Sequence, residues 1–116
     1  MKNFGETIRN LRVAQKFGLR ETAAKVGISP AYLSRIERGK ESPPRPEIIK
    51  VMAKILAADP DVLFRLASSS DPEIVDFLHS EPEIMILLRL IKDASFTDVE
   101  IRKLIQTAED LKANFR

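Results

Sequence analysis

The stretch from Gly18 to Gly39, GLRETAAKVGISPAYLSRIERG, leaves this chain little choice of local structure. It predicts two short helices joined by a tight turn. Ser29 is placed to open the second helix, because a serine hydroxyl accepts a free backbone N–H of the first turn. Pro30 follows at the first helical position, where a missing N–H costs little. Gly39 then stops the helix. The first helix is expected from near Gly18 to near Val26. Gly27 sits in the connection, where a positive φ comes cheaply only to glycine. Ala23 and Ala24 allow the two helices to cross closely. Leu33 and Ile36, three residues apart, share a face and are expected to pack inward, which leaves Ala31, Ser34, Arg35 and Arg38 outward.

Two helices joined by a short glycine-containing turn match the helix-turn-helix pattern, in which the second helix enters the major groove of DNA. Over residues 4–67 the chain resembles the Cro/cI-type (XRE-family) helix-turn-helix domain of bacterial and phage repressors. The resemblance is carried by Leu11-Arg12, LRETAAKVG from Leu19, ISPAYLSRIERGK from Ile28, SPP from Ser42 and DPDVLFRLA from Asp59. It implies an all-α, five-helix DNA-binding domain, expected over residues 1–68. An αα-hairpin without a DNA role is the alternative.

The resemblance also implies roles for individual residues. By the family's pattern, base-edge contacts come from the first turn of the second helix and from the residue two after the buried Leu33. Pro30 has no donor there, and Ala31 offers a methyl that suits the methyl of thymine. Arg35 is the main candidate reader, since a guanidinium binds guanine O6 and N7 together. Ser34 is a lesser one. Tyr32 either gives its hydroxyl to a phosphate or lies half-buried against the preceding helix, and the phosphate role is the one assigned. Ser29, Arg38, Lys40 and Arg45 surround the two ends of this helix and are assigned DNA-backbone contacts, which set register rather than sequence. Many family members open the preceding helix with a polar cap and a glutamine. Gly18 and Leu19 stand there instead, and Arg20 is the cation assigned to the backbone. Thr22 occupies a position where leucine is usual. The family's buried arginine–glutamate pair falls on Arg12 and Glu37, where it would fix the angle of the recognition helix rather than add net stability. Two independent surface charges are the alternative.

The remaining elements follow from spacing and breakers. Phe4, Ile8 and Leu11 predict a helix from Asn3 to about Phe17. Ser42-Pro43-Pro44-Arg45-Pro46 reads as a stiff extended loop, because each proline restricts the residue before it. Ile48, Ile49, Met52, Ile55 and Leu56 predict a helix from Pro46 to about Ala57, and Val62, Leu63 and Leu66 another from Asp61 to about Ala67. Ser68 to Ser70 is a polar break, taken as the domain boundary.

Three further helices are expected over residues 71–116, opened by Asp71-Pro72, by Ser80-Glu81-Pro82 and by the capping box Thr97-Asp98-Val99-Glu100. The middle one, EIMILLRLI, is apolar nearly all round and calls for burial on several sides. Three helices in ~45 residues do not easily cover such a centre alone. A second copy is the expected cover, with Ile84, Leu87, Leu88, Ile91, Leu104 and Ile105 in the dimer interface; folding back onto the first domain is the alternative. Some short regulators of the family end in a similar tail that pairs subunits.

Charge divides in the same place. Residues 1–70 carry 13 Lys/Arg and 7 Asp/Glu, net +6; residues 71–116 carry 6 and 10, net −4. A basic first part suits a polyanion. There is no cysteine, and His79 is the single histidine, so no metal site is expected. No nucleophile–base set or Gly-rich phosphate loop stands out, and neither an enzyme nor a cofactor is expected. No apolar run approaches the ~20 residues of a membrane span, and a cytoplasmic setting is expected. The reading is therefore a homodimeric transcriptional regulator of double-stranded DNA, most simply a repressor with a pseudo-palindromic operator. Two other readings stay open: an antitoxin-type autoregulator whose tail binds a partner protein, and a protein-interaction module that no longer binds DNA.

Overall fold

The computed structural model describes residues 3–115, among which the regular structure is eight helices and no strand. In chain order they are α1 (Phe4–Ala14), α2 (Leu19–Val26), α3 (Pro30–Glu37), α4 (Pro46–Ile55), α5 (Pro60–Leu66), α6 (Pro72–Ser80), α7 (Pro82–Asp93) and α8 (Asp98–Phe115). Five of them begin on a proline, at the one position where its missing N–H leaves no hydrogen bond unmade. Side-chain caps act at α1 and, beside its proline, at α5. Asn3 Oδ1 accepts the Glu6 N–H at 2.8 Å, and Asp59 Oδ1 accepts the Asp61 N–H at 2.9 Å.

The chain divides into two compact units, one ending at Asp76 and one beginning at Phe77. In the first, α1 packs on α3, α2 on α3 and α4, and α4 on α5. Ile8, Leu33, Ile36, Ile49, Met52, Leu56 and Leu63 are fully buried between them. Gly5 makes the closest approach. A Cβ there would run into the Ile36 carbonyl oxygen, so the backbones of α1 and α3 touch. Thr22 is also wholly buried, and its hydroxyl has no hydrogen-bond partner among the described residues.

Two helices stop earlier than their apolar spacing suggests. α1 ends at Ala14 and α4 at Ile55, because Lys16 (φ 61°) and Ala57 (φ 54°) adopt the left-handed conformation. The chain then closes back, with Phe17 N–H donating to Arg12 O at 3.1 Å and Ala58 N–H to Ala53 O at 2.9 Å. The first unit also reaches beyond the Ser68–Ser70 break. Lys50 Nζ lies 3.2 Å from Asp71 Oδ1 and 3.3 Å from Glu73 Oε1, which ties the start of α6 to α4.

In the second unit no described residue of α7 or α8 is buried. α7 is rich in apolar residues, yet Leu87 is 42% and Leu88 41% exposed. The start of α8 is well fixed. Thr97 Oγ1 accepts the Glu100 N–H at 3.2 Å, and Glu100 Oε1 accepts the Thr97 N–H at 3.0 Å. The Thr97 backbone N–H first, and then the Thr97 hydroxyl donating to the same Oε1 at 3.0 Å, hold the Glu100 carboxyl below the usual range. His79 is exposed near the end of α6. No helix among the described residues is long and apolar enough to cross a membrane.

Candidate nucleic-acid interface

α3 is positioned from three sides. Leu33 and Ile36 plug it into the core. Ser29 Oγ accepts the Tyr32 N–H at 3.1 Å and closes its N-terminus. The third constraint comes from α1, where Arg12 Nε donates to Glu37 Oε2 at 2.8 Å and Nη2 to Oε1 at 2.9 Å. Arg12 Nη1 donates in addition to the Phe17 carbonyl at 3.1 Å. The hydrogen-bonded Glu37 carboxylate raises the Arg12 pKa above its already high ordinary value, outweighing a partial loss of solvation. The pair thus joins α1, the loop before α2 and the last turn of α3.

The opposite face of α3 looks outward. Ala31, Arg35 and Arg38 are exposed, and Ser34 is half-buried. Arg38 Nε donates to Ser34 Oγ at 3.2 Å, one turn back. Arg35 Nε donates to Glu41 Oε2 at 3.2 Å, and its guanidinium carbon stands 5.9 Å from the centre of the Tyr32 ring. The Tyr32 ring itself packs partly against the core. Lys40 and Arg20 are exposed, as is Arg45, whose Nε lies 3.8 Å from Glu47. The chemistry offered by this face is cationic, with one methyl at Ala31. That suits phosphate oxygens and the acceptor edge of guanine.

Two residues near this face were not singled out by spacing. Arg9 and Arg38 line a cleft of about 250 Å³ with Leu19 and Ser34, over the Arg12–Glu37 pair. Arg9 stands three residues before Arg12, so helical spacing alone places the two side chains together. Glu41 lies outside any helix, and its approach to Arg35 depends on how α3 ends. The six apolar residues expected at an interface lie on α7 (Ile84, Leu87, Leu88, Ile91) and α8 (Leu104, Ile105), all exposed or half-buried within the chain. No group of side chains suited to hold a metal ion occurs among the described residues.

The family model described as a helix-turn-helix domain matches residues 3–66. Among characterised relatives, the HTH-type transcriptional repressor RghR of Bacillus subtilis (strain 168) is 43% identical over 56 residues, 48% of this chain and 42% of its own length. The chain therefore spans about two-fifths of that relative. A relative described only as an uncharacterized HTH-type transcriptional regulator, Rv0474 of Mycobacterium tuberculosis (strain ATCC 25618 / H37Rv), is 31% identical over 102 residues, covering 80% of this chain and 71% of that one. Among solved structures, SinR in complex with DNA is similar at 28% identity and a TM-score of 0.50, over 53% of this chain and 97% of the chain in that structure.

Proposed function

The chain belongs to the Cro/cI-type helix-turn-helix family of transcriptional regulators, and from that premise we propose that it binds double-stranded DNA with α3 in the major groove, as a homodimeric repressor. The observation that carries this reading is the two-sidedness of α3. Leu33, Ile36 and Glu37 hold it to the domain, while Ala31, Arg35 and Arg38 are exposed on its other face. A helix fixed in this way can present side chains to base edges in one register. Ala31, Ser34 and Arg35 face the bases in this reading. Arg20, Ser29, Tyr32, Arg38, Lys40 and Arg45 contact the phosphate backbone, and Arg9 joins them from α1.

The second unit supports the dimer. Its helices bury none of their described residues, and covering Leu87, Leu88 and Ile105 with a partner's apolar surface is favourable. A second copy supplies the matching surface and sets two α3 helices about a two-fold axis. Half-sites about one helical turn apart, roughly 34 Å, follow from that symmetry.

Selection of bound sequences from a random DNA pool with the full chain tests the reading. An enriched two-fold symmetric motif with half-sites about one turn apart is the expected result. Weak, salt-sensitive binding without any enriched sequence would overturn it.

A further inference from the structure

The end of α3 determines what stands beside its main candidate reader. Gly39 takes a positive φ of 71°. Its N–H donates to the Ile36 carbonyl at 3.1 Å, and the Lys40 N–H donates to the Arg35 carbonyl at 2.8 Å. This paired closure folds the chain back along the helix. Glu41, the next residue, is thereby delivered to the side of Arg35.

The two arginines of this region use their nitrogens differently. Arg12 places all three on acceptors inside the protein, two on Glu37 and one on the Phe17 carbonyl. Arg35 gives only its Nε, to Glu41, and neither Nη has a protein acceptor among the described residues. The guanidinium carbon lies over the Tyr32 ring, 5.9 Å from its centre. Arg35 is thus held at its inner edge, with its outer edge, Nη1 and Nη2, left open. Guanine presents two acceptors, O6 and N7, which a guanidinium binds with two parallel N–H groups. The ion pair is exposed, with side chains 45% and 39% accessible, and such pairs add little to stability. Its place next to a reader gives it another consequence.

We propose that Glu41 is a positioning residue for base recognition, which holds Arg35 so that its free Nη edge meets guanine. The proposal rests on the DNA-binding reading above. A loose arginine facing a wrong base can swing to a nearby phosphate and recover a partner. One held at Nε must first give up that ion pair, so a mismatch recovers less, and specificity rises through the penalty on wrong sequences. The Glu41 carboxylate also repels phosphates, which lowers affinity for all sequences alike. Glu41 therefore sharpens the choice of base without touching one.

The test is selection from a random DNA pool, using the full chain and its variants E41Q, E41A, R35A and R35A/E41A. R35A is expected to erase a guanine from each half-site. E41A should lower the preference for that guanine by about threefold to tenfold, at the low end of what a whole bidentate contact supplies because the contact is loosened rather than removed, and leave the other positions unchanged. E41Q removes the same charge but keeps an acceptor for Nε, so its guanine preference should fall between those of the wild type and E41A. Both should bind unrelated DNA more tightly than the wild type. In the R35A background, E41A should change no base preference. An unchanged or sharper guanine preference in E41A would overturn the proposal, as would a motif indifferent to R35A. The free protein supplies an independent reading. The Arg35 Nε–H should give a slowly exchanging NMR signal that E41A abolishes. If that signal is present and the wild type selects no motif, the DNA-binding reading fails and the positioning role fails with it. If a motif is selected and the signal is absent, the positioning role alone fails.

Discussion

Arg12 and Glu37, 25 residues apart, meet through two parallel hydrogen bonds of 2.8 and 2.9 Å, with side chains only 14% and 5% exposed. A pair of this kind gains little net stability, since both charges lose water, but removing one partner strands the other. Arg12→Met or Glu37→Gln is expected to cost about 2–4 kcal/mol, at or below the range for fully buried pairs because Arg12 keeps an exposed edge. The double variant Arg12→Met/Glu37→Leu should cost less than the two single changes together. Urea unfolding of the four proteins measures the coupling. Additive losses would mean that the two side chains do not depend on each other.

Gly5 is the second point at which α1 fixes α3. A Cβ there meets the Ile36 carbonyl oxygen, a backbone atom that no rotamer change can move aside. Gly5→Ala should therefore destabilise by about 3 kcal/mol, the upper end for overpacking. For a domain of this size that lowers the thermal midpoint by roughly 10 °C or more. Gly18→Ala is the control, because a Cβ at Gly18 meets nothing within 4 Å. A thermal melt in which the two variants behave alike would contradict the close approach of α1 and α3.

Asp71 links the start of α6 to α4, and its carboxyl is held below the ordinary aspartate range. The Glu73 backbone N–H, donating at 2.9 Å, is the larger cause, and Lys50 adds to it. A carboxyl lowered in the folded state contributes stability at pH values above its unfolded range. That contribution disappears as the pH falls through the lowered value. Lys50 is shifted the other way, raised chiefly by its hydrogen bond to Asp71. Its contribution is present below the ordinary lysine range and lost as the pH rises through the raised one. In a carbon-detected NMR titration, Asp71 should titrate below an ordinary aspartate. Lys50→Met should move it only part of the way back, because the Glu73 N–H remains. Full return to the ordinary value would assign the whole shift to Lys50.

The parts of this fold legible in the sequence are those governed by near neighbours. Ser29-Pro30 and Gly39 mark the ends of α3, and Thr97 with Glu100 marks the start of α8, because each cap is completed within a few residues. Helix ends at Lys16 and Ala57 were hidden, since nothing in a lysine or an alanine announces a left-handed φ. Gly5 was hidden for a different reason. Its role is to admit the backbone of α3, some thirty residues on, and no local pattern encodes that contact. Thr22 was legible as a small residue at a core position, but not as a buried hydroxyl without a partner. On α3, spacing separates the inward Leu33 and Ile36 from the outward Arg35 and Arg38. It does not reveal that Glu41 returns to Arg35, because that depends on the turn at Gly39.

The second unit carries the last prediction. Leu87 and Leu88 are adjacent on α7 and both about two-fifths exposed, while Ile105 on α8 is 51% exposed. Burying each such side chain against a partner contributes on the order of 1 kcal/mol, given about 25 cal/mol per Å² of apolar surface. A charge placed among them reverses that gain, since an unpaired carboxylate resists removal from water. On the proposed dimer, the wild type should sediment as a dimer and Leu87→Glu as a monomer at the same concentration, and the variant should retain the helical circular dichroism and the thermal transition of the first unit, whose core residues lie elsewhere. Its affinity for a two-fold symmetric site should fall much more than its affinity for an isolated half-site, because only the symmetric site uses both subunits. A Leu87→Glu protein that stays folded and dimeric would remove this surface from the interface.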